Sequence, residues 1–437
     1  MHDSRRSLRI RRSAWDQDVD VDLPIPDRWR VHELRLAPSH VLTSPDSRAA
    51  CVRPVAWVPL ESLDRGKRNV GIIIDDLTRP TRADELLTPL LEILASVGVR
   101  VDDLTLFVAC GSHEAPSRAD IERKAGDAIR EFRNVVVHDC HTGCRDLGRT
   151  RRGTPVAVNA ELLACDLRIG VGSVFPHPAA AFSGGSKLLV PGMCGAATIR
   201  FLHDHTRPAR ERGGELDCEM RDEMRVIADM VGLHHVILAV PGPDRRAVAC
   251  IAGAPEEALT RAVRAYRPLA TVPMPSAGDV DALIIDAYPF DSTLQFAHDR
   301  ALWPIKEYPA DMPVVILAHC QRGAGTHEFF PAADPFVDRI VRRVRGFKRS
   351  DLRRIPEILN NALALRAERQ RTISIMAPGL STGEVRRVFP RGVLCETWDE
   401  ACRWIDTQLP EATPRVAFFS TAPLLLPERQ EVIPGTL

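Results

Sequence analysis

Short apolar runs rich in β-branched residues alternate along this chain with stretches of helical character. In the first half the apolar runs are residues 69–75, 104–110, 134–137 and 166–172, and the helical stretches between them are 83–97, 118–132 and 159–165. Strands that alternate with helices are typical of a sheet whose parallel strands are joined by helical crossovers. The pattern therefore predicts an α/β fold.

A second series of the same kind begins near residue 280. Its apolar runs are residues 281–286, 313–318, 372–376 and 415–420. Three prolines mark the stretch before it and predict a linker or hinge over residues 267–279. At 437 residues the chain is also too long for one ordinary core. We therefore expect two α/β domains with parallel-type sheets, residues 1–266 and 280–437, and an active-site cleft between them.

Composition narrows the class of function. The chain has 58 basic and 58 acidic residues, and this balance argues against a nucleic-acid partner or an anionic membrane surface. No apolar run approaches the ~18 residues of a membrane span. Its 11 cysteines are scattered and odd in number, which is typical of reduced thiols. We therefore expect a cytoplasmic protein that acts on a small molecule.

The first residues are rich in arginine. No apolar segment follows them, so they do not form a secretory signal. We interpret residues 1–30 as a variable, solvated arm.

Polar side chains follow three of the predicted strands. Asp76 and Arg79 come after the first run, His113 after the second and His177 after the fourth. Because ligands bind outside the carboxyl ends of strands in open α/β sheets, parallel neighbours would bring these residues into one crevice. An arginine fork suits a carboxylate or phosphate, and two histidines can act as bases on opposite sides of a substrate. A helix start capped by Thr78 or Thr81 explains the threonines equally well, but not Arg79.

Residues 183–187 read Ser-Gly-Gly-Ser-Lys. They are not a P-loop, because the Gly-Lys-Ser/Thr order is absent. The amides around Gly184 and Gly185 could cradle a phosphate, and Lys187 could bind an anion or a cofactor covalently. From local sequence alone, a glycine turn with a surface lysine is an equally good interpretation.

Two clusters offer metal ligands. His203 and His205 lie two residues apart, although an exposed helical pair explains the same string. His138, Cys140 and Cys144, together with His141, form a competing cluster. Its irregular spacing and the lack of a second cysteine pair disfavour a structural zinc site.

Gln295 and His298 follow the first strand of the second series. Three positions apart, they would share one face of a helix. A polar helix start is the alternative.

Taken in order, these motifs resemble the nickel-pincer lactate racemase family and its 2-hydroxyacid racemase and epimerase relatives. The resemblance runs from about residue 69 to the end. It is carried by Asp-Leu-Thr-Arg-Pro-Thr at 76–81, Gly-Ser-His at 111–113, Arg-Gly-Thr-Pro at 152–155, the stretch 176–192 and the stretch 288–295. The spacing from His177 to Lys187 to His203 is similar to that of the family.

The resemblance implies a cofactor, the nickel-pincer nucleotide (pyridinium-3,5-bisthiocarboxylic acid mononucleotide with nickel), bound by the N-terminal domain. It implies that Lys187 tethers this cofactor covalently and that His203 ligates its nickel. It also implies that His113 and His177 are the acid/base pair. The further cofactor-binding residues would be Asp76, Thr78, Arg79, Gly184 and Gly185.

The substrate implied is a small 2-hydroxy acid, held by Arg79, Gln295 and His298. Its C2 would be inverted by hydride transfer to and from the cofactor. His298 stands where lactate-type members carry a lysine, and Leu294 replaces a commonly aromatic residue. A neutral imidazole is a poorer carboxylate partner than an ammonium, so we expect a substrate other than lactate, such as a sugar acid.

Cofactor-biosynthesis proteins are the partners implied, and a homo-oligomer stays open. Two other functions stay open as well. One is a dehydrogenase- or lyase-like enzyme that uses the same cofactor. The other is a cofactor-free α/β binding protein of the same fold.

Overall fold

Two six-stranded sheets organise the chain. The structure, a computed structural model, describes residues 6–38, 69–206, 214–325, 355, 359, 370–409 and 413–428. The strands are β1 (Ser7–Arg12), β2 (Val19–Pro24), β3 (Arg30–Leu34), β4 (Val70–Asp75), β5 (Leu104–Ala109), β6 (Asn134–Val137), β7 (Cys144–Arg149), β8 (Pro155–Asn159), β9 (Leu167–Ser173), β10 (Pro176–His177), β11 (Ala181–Phe182), β12 (His235–Pro241), β13 (Ala247–Gly253), β14 (Thr271–Val272), β15 (Ala282–Asp286), β16 (Val314–Leu317), β17 (Ile373–Met376), β18 (Val393–Cys395), β19 (Arg415–Phe419) and β20 (Leu426–Pro427).

Helices connect most of these strands. They are α1 (Asp84–Ser96), α2 (Arg118–Ala125), α3 (Ala160–Leu163), α4 (Ala196–His205), α5 (Glu219–Val231), α6 (Pro255–Ala270), α7 (Leu294–Ala301), α8 (Thr382–Val388) and α9 (Trp398–Gln408). Helix α2 begins with a capping box, in which Ser117 Oγ accepts from the Asp120 N–H and the Asp120 carboxylate accepts from the Ser117 N–H. Thr293 caps α7 with its hydroxyl alone, which accepts from the Phe296 N–H.

The first sheet has the strand order β13-β12-β9-β4-β5-β6. Its strands run parallel except β13, which pairs antiparallel with β12 at the edge. Strand β4 is buried along its whole length, as expected for a parallel strand covered on both faces. Because β9, β4 and β5 are neighbours, the residues that follow them meet at one edge of the sheet. This confirms the parallel α/β arrangement that the sequence predicts.

Glycines in β9 allow a turn to pack closely on this sheet. The turn is the 3₁₀ helix Gly185–Leu188, which contains Lys187. A Cβ added at Gly170 or Gly172 would lie 2.8 or 2.6 Å from a methyl carbon of Leu188. Only glycine therefore allows Leu188 to pack so close to the strand.

The second sheet has the order β18-β17-β16-β15-β19-β3, and all its strands are parallel. Four of them match the predicted apolar runs to within two residues. The sixth, β3, comes from the start of the chain and pairs with β19. Its distance along the sequence explains why no local pattern indicated this pairing.

Residues 6–38 correct the expectation of a solvated arm. Strands β1 and β2 form an antiparallel hairpin, and the side chains of Trp15 and Trp29 are 7% and 0% exposed. Trp29 packs against Trp398 of α9, with ring centroids 6.1 Å apart. The buried tryptophans outweigh the local charge, which alone suggested solvation.

The stretch predicted as a linker is more structured than its prolines suggest. Residues 267–270 are the last turn of α6, and residues 271–272 form β14, which pairs with β20. Beyond them, Tyr308 Oη donates to the Pro275 carbonyl at 2.7 Å and Arg415 Nη1 donates to the Gly278 carbonyl at 2.9 Å. The linker start at 267 is thus wrong by several residues, whereas hinge motion there stays a prediction.

Within the described ranges, no helix is both long enough and apolar enough to span a membrane.

Candidate active site

Asp76 and His113 form a hydrogen-bonded pair where β4 and β5 end. The His113 Nδ1 lies 2.7 Å from Asp76 Oδ2, and both side chains are largely buried, at 13% and 3% exposure. An ionised carboxylate accepts only, so neutral His113 carries its proton on Nδ1 and presents Nε2 as an acceptor. The pair has the orientation of a general base held by a carboxylate.

Thr78 and Arg79 complete this cluster. The Thr78 N–H donates to Asp76 Oδ1 at 2.7 Å, and the Thr78 hydroxyl donates to the same oxygen. Arg79 Nη1 donates to Thr78 Oγ1 at 2.8 Å, and its Nη2 lies 3.5 Å from His113 Nε2. The structure therefore brings together, in one hydrogen-bonded network, the residues predicted to follow β4 (Asp76 and Arg79) and β5 (His113).

The electrostatics of the pair favour a neutral imidazole beside an ionised carboxylate. Burial lowers the pKa of His113, Asp76 opposes this shift and Arg79 adds to it. Burial alone would raise the pKa of Asp76, but the charge and hydrogen bond of His113, with Arg79 and Thr78, hold it well below its usual range. At neutral pH the cluster thus offers a base rather than an acid.

Lys124 binds the main chain of this cluster and the neighbouring Asp75. It extends from α2, is 1% exposed and pairs with Asp75 Oδ1 at 2.5 Å. Its ammonium also donates to the carbonyls of Asp76 and Arg79, at 3.0 Å each. No local pattern indicates this role, because a lysine inside a helix resembles a solvated residue.

His177 lies on β10, just beyond β9, and is 7% exposed. Its Nδ1 accepts from the N–H groups of Ala179 and Ala180, at 3.2 Å each. Neutral His177 therefore carries its proton on Nε2, which is the reverse of His113. Its acid/base role stays a prediction.

Charges of the Asp76–His113 neighbourhood act on Lys187, among them those of Arg79 and Asp75. The pKa of Lys187 lies well below the ordinary value because of burial first, then Arg79, Arg300 and Arg221, while Asp75 opposes the shift. A lowered pKa increases the fraction of unprotonated, nucleophilic amine, and the cations around Lys187 attract an anionic ligand. This environment argues against the surface-lysine interpretation.

Gly184 and Gly185 adopt φ of 84° and 62°. A Cβ at Gly184 would lie 2.9 Å from Leu238, and one at Gly185 would lie 3.0 Å from Glu256. The next amide, of Ser186, donates to Glu256 Oε1 at 3.0 Å. Turn geometry and packing thus account for both glycines, and their predicted contact with a cofactor stays a prediction.

His203 lies on α4, with Nδ1 2.8 Å from the Ile199 carbonyl. A proton on Nδ1 satisfies that carbonyl and makes Nε2 the metal-binding end, which is the usual support of a ligating histidine. The ring of His205 packs on Phe201 instead, with centroids 4.6 Å apart. His203 as a nickel ligand stays a prediction.

The competing cluster does not assemble as a metal site. His138 is buried and its Nε2 lies 2.9 Å from the Cys194 carbonyl, which occupies that nitrogen with the main chain. Across the part of the chain that the structure describes, no group of three His, Cys, Asp or Glu side chains is arranged to hold a metal ion.

Gln295 and His298 share a partner on α7. Gln295 Nε2 donates to Asp299 Oδ2 at 2.7 Å, and His298 Nδ1 lies 2.8 Å from Asp299 Oδ1. Between them, Phe296 packs its ring edge-on against His113 at 5.5 Å and under the Arg79 guanidinium at 5.9 Å. Helix α7 therefore borders the Asp76–His113 cluster, although α7 follows a strand of the other sheet.

Comparison with known proteins gives a family match over nearly half of the chain. A family model described as the lactate racemase N-terminal domain matches residues 17–213. The lactate racemase of Thermoanaerobacterium thermosaccharolyticum is 25% identical over 291 residues, which cover 65% of this chain and 67% of that protein. The lactate racemase of Lactiplantibacillus plantarum is 28% identical over 248 residues, which cover 55% of this chain and 58% of that protein.

Solved structures share the fold over a longer stretch. The lactate racemase apoprotein of T. thermosaccharolyticum matches with a TM-score of 0.71 and 19% identity, over 97% of this chain and all of that one. A protein from Thermotoga maritima matches with a TM-score of 0.60 and 13% identity, over 90% of this chain and all of that one. At such identities the likeness establishes a common fold.

Proposed function

The chain belongs to the lactate racemase family of racemase-like isomerases, and from that premise we propose that it inverts C2 of a 2-hydroxy acid with a tethered nickel-pincer nucleotide. The observation that carries this proposal is the Asp76–His113–Arg79 cluster beside Lys187. It combines an oriented histidine base, a cation suited to a carboxylate and a lysine whose pKa is lowered by burial and by neighbouring arginines. A cofactor-free binding protein would not require any of the three.

The residues present fit the implied cofactor. The low pKa of Lys187 suits a covalent tether, and the arginines that lower it suit a phosphate-bearing ligand. His203 offers Nε2 to a metal, and the remaining ligands would come from the cofactor's own sulfurs, which suit nickel. When bound, the cofactor would supply the electron sink that takes up and returns the hydride of C2.

The protein's own part is to bind the substrate and move the hydroxyl proton. Arg79 would hold the carboxylate by two oxygens. His113 would accept the hydroxyl proton at Nε2, and Asp76 would stabilise the resulting imidazolium. The His113 imidazolium would give the proton back to the substrate oxygen once C2 has regained its hydride, while His177, which presents Nε2–H, would hydrogen-bond that oxygen from the other side. Access of both histidines to that oxygen is what an inversion requires.

We propose that the substrate is not lactate. Asp299 holds both His298 and Gln295, so the position of the lactate-type lysine carries a histidine–carboxylate pair instead of an ammonium. Gln295 Nε2 donates to Asp299 Oδ2, and an amide side chain of this kind suits hydroxyl groups better than a second carboxylate. Both features favour a 2-hydroxy acid with a hydroxylated chain, such as a sugar acid.

The test is the intact mass and nickel content of protein co-expressed with the cofactor-making enzymes. We expect a mass increase and about one nickel per chain, both lost in Lys187→Ala. Lys306→Ala is the matched control, because Lys306 is an exposed lysine on the second sheet's side. Loaded protein is then given single enantiomers of 2-hydroxy acids and followed by chiral chromatography.

The alternatives give different results. Net release of a 2-keto acid without inversion would indicate the dehydrogenase- or lyase-like enzyme. Neither mass increase nor nickel, under conditions that load a known family member, would favour the cofactor-free binding protein.

A further inference from the structure

A buried arginine lies behind the loop of residues 176–187, which carries both His177 and Lys187. Arg221 extends from α5 and is 4% exposed. Its guanidinium donates to three main-chain carbonyls of this loop, which are Phe182 at 2.6 Å, Ala180 at 3.3 Å and Gly184 at 3.5 Å. A side chain with one donor direction could not reach all three, whereas the planar fork of arginine does.

The carbonyls that Arg221 binds flank a residue in an unfavourable conformation. Ala181 has a φ of 57°, in the left-handed region that a residue with a Cβ rarely adopts. Such residues persist where the surroundings determine the backbone, and they concentrate at functional sites. Ala181 also pairs with His177 in the short β10–β11 ladder. The strained turn is therefore directly linked to the histidine.

The same turn sets the proton position on His177. The N–H groups of Ala179 and Ala180 point at His177 Nδ1, while the carbonyl of Ala180 points at Arg221. If the turn relaxed, those amides would no longer converge on Nδ1, and the ring proton could move to it.

A second contact extends the support to Lys187. Arg221 Nη1 lies 3.5 Å from Glu256 Oε2, and Glu256 Oε1 accepts from the N–H of Ser186. The residue before Lys187 is thus held by the carboxylate that pairs with Arg221. One ion pair anchors both ends of the functional part of the loop.

We propose that Arg221 is a positioning residue that holds His177 in its Nε2–H form, and that Arg221 and Glu256 together hold Lys187 in a fixed place within the same loop. The importance of Arg221 for turnover rests on the proposed function. The positioning role can be tested in protein without cofactor. The positioning role and the proposed function can therefore fail separately.

The first readout is the tautomer of His177, measured from ring ¹⁵N shifts in histidine-labelled apoprotein and assigned with His177→Gln. We expect the wild type to show a protonated Nε2 and an acceptor Nδ1. Arg221→Gln should move both shifts towards those of a tautomer mixture, and Arg221→Lys should do the same because it lacks the fork. Arg225→Gln is the matched control, since Arg225 lies one turn along α5 and its side chain is 57% exposed.

The second readout is the pH dependence of acetylation of Lys187 by acetic anhydride, followed by peptide mass spectrometry. The groups that act on this amine are Arg79, Arg300 and Arg221, which disfavour the ammonium, and Asp75, which favours it. Arg221→Gln should move the labelling midpoint to higher pH. Arg221→Lys should leave the labelling midpoint unchanged, because the positive charge is kept. The two variants therefore distinguish the effect of the charge of Arg221 from that of its forked hydrogen bonds.

Two further variants keep the proposal testable if Arg221→Gln does not fold. Glu256→Gln should disturb the Lys187 labelling and leave the His177 tautomer unchanged. Adding Ala181→Gly to Arg221→Gln should restore folding, because glycine tolerates the positive φ. Wild-type tautomer and wild-type labelling midpoint in Arg221→Gln would overturn the proposal. Changes in both, in a protein that never loads nickel, would support the positioning role and reject the proposed function.

Discussion

His113 and His177 present the same ring nitrogen, Nε2, in opposite protonation states. Asp76 holds the proton of His113 on Nδ1, whereas two amides hold the proton of His177 on Nε2. The sequence shows two histidines at strand ends, and that much of the site could be predicted from position. Which nitrogen each offers depends on atoms from other segments, and no local pattern records it.

The proposed role of His113 as the base predicts a pH dependence of turnover, because the pKa of His113 is lowered. A base acts unprotonated, so we expect the acid limb of kcat/KM to lie below pH ~6.5, the ordinary histidine value. The folded state should also lose stability as pH falls from there towards the lowered pKa, because the unfolded chain binds the proton first. An acid limb above that value in loaded protein would contradict the assignment of His113 as the base.

Asp76→Asn is the variant that checks this pH prediction. Removing the carboxylate takes away the group that raises the pKa of His113, so the acid limb should move further down. The rate should fall by about 10²-fold or more, since the tautomer is no longer held. Asp127→Asn, an exposed change on the same side of the sheet, should leave the profile unchanged.

Position 298 should decide between lactate and longer acids. His298→Lys restores an ammonium, and a charged hydrogen bond to a carboxylate is worth about 1.5–3 kcal/mol. We therefore expect kcat/KM for lactate to rise by about one to two orders of magnitude relative to sugar acids. His298→Gln, which adds no charge, is the control. An unchanged preference in His298→Lys would indicate that the carboxylate is bound away from this position.

At the scale of elements, the sequence predicts eight of the twelve strands in the two large sheets. Strands β4, β5, β6, β9, β15, β16, β17 and β19 lie within two residues of the apolar runs, and those covered on both faces are continuously apolar. Strands β3, β12, β13 and β18 were not predicted, although β12 lies inside the first sheet and is almost wholly buried. The edge strand β3 has no apolar run to indicate it. It is polar on much of its length and its partner lies almost 400 residues away.

Helix α2 should depend on its buried ion pair. In Lys124→Met the Asp75 carboxylate stays buried without its cation, and we expect a loss of about 3–5 kcal/mol in the free energy of unfolding. Urea denaturation of the apoprotein measures this loss. Asp75→Asn combined with Lys124→Met should recover much of it, because no charge is then buried.

Lys306→Met is the control for this pair, since the side chain of Lys306 is 43% exposed and its change should be nearly neutral. A Lys124→Met protein as stable as the wild type would mean that the pair contributes little beyond its own desolvation.

At the scale of the whole molecule, the tip of the N-terminal hairpin contacts residues beside the first sheet and a residue that follows a strand of the second sheet. The ring of Trp15 lies 3.8 Å from the Arg245 guanidinium and 4.8 Å from the Lys124 ammonium, both beside the first sheet. The N–H groups of Ser13 and Ala14 donate to the carboxylate of Asp291, which follows β15 of the second sheet. The hairpin tip is thus a structural link, which the arginine-rich sequence did not suggest.

Trp15→Ala should therefore weaken both sheets together. Loss of a buried tryptophan costs about 3–5 kcal/mol. The Trp15 ring contacts Lys124 and Arg245 beside the first sheet and shares a small apolar cluster with Tyr288, which follows β15 of the second sheet. We expect hydrogen exchange to quicken in α2, in the β12–β13 turn and in residues 288–291. Trp404→Ala, which removes a partly buried ring from α9, should quicken exchange around the second sheet alone. If Trp15→Ala quickened hydrogen exchange only in β1 and β2, the hairpin would not contribute to the stability of either sheet.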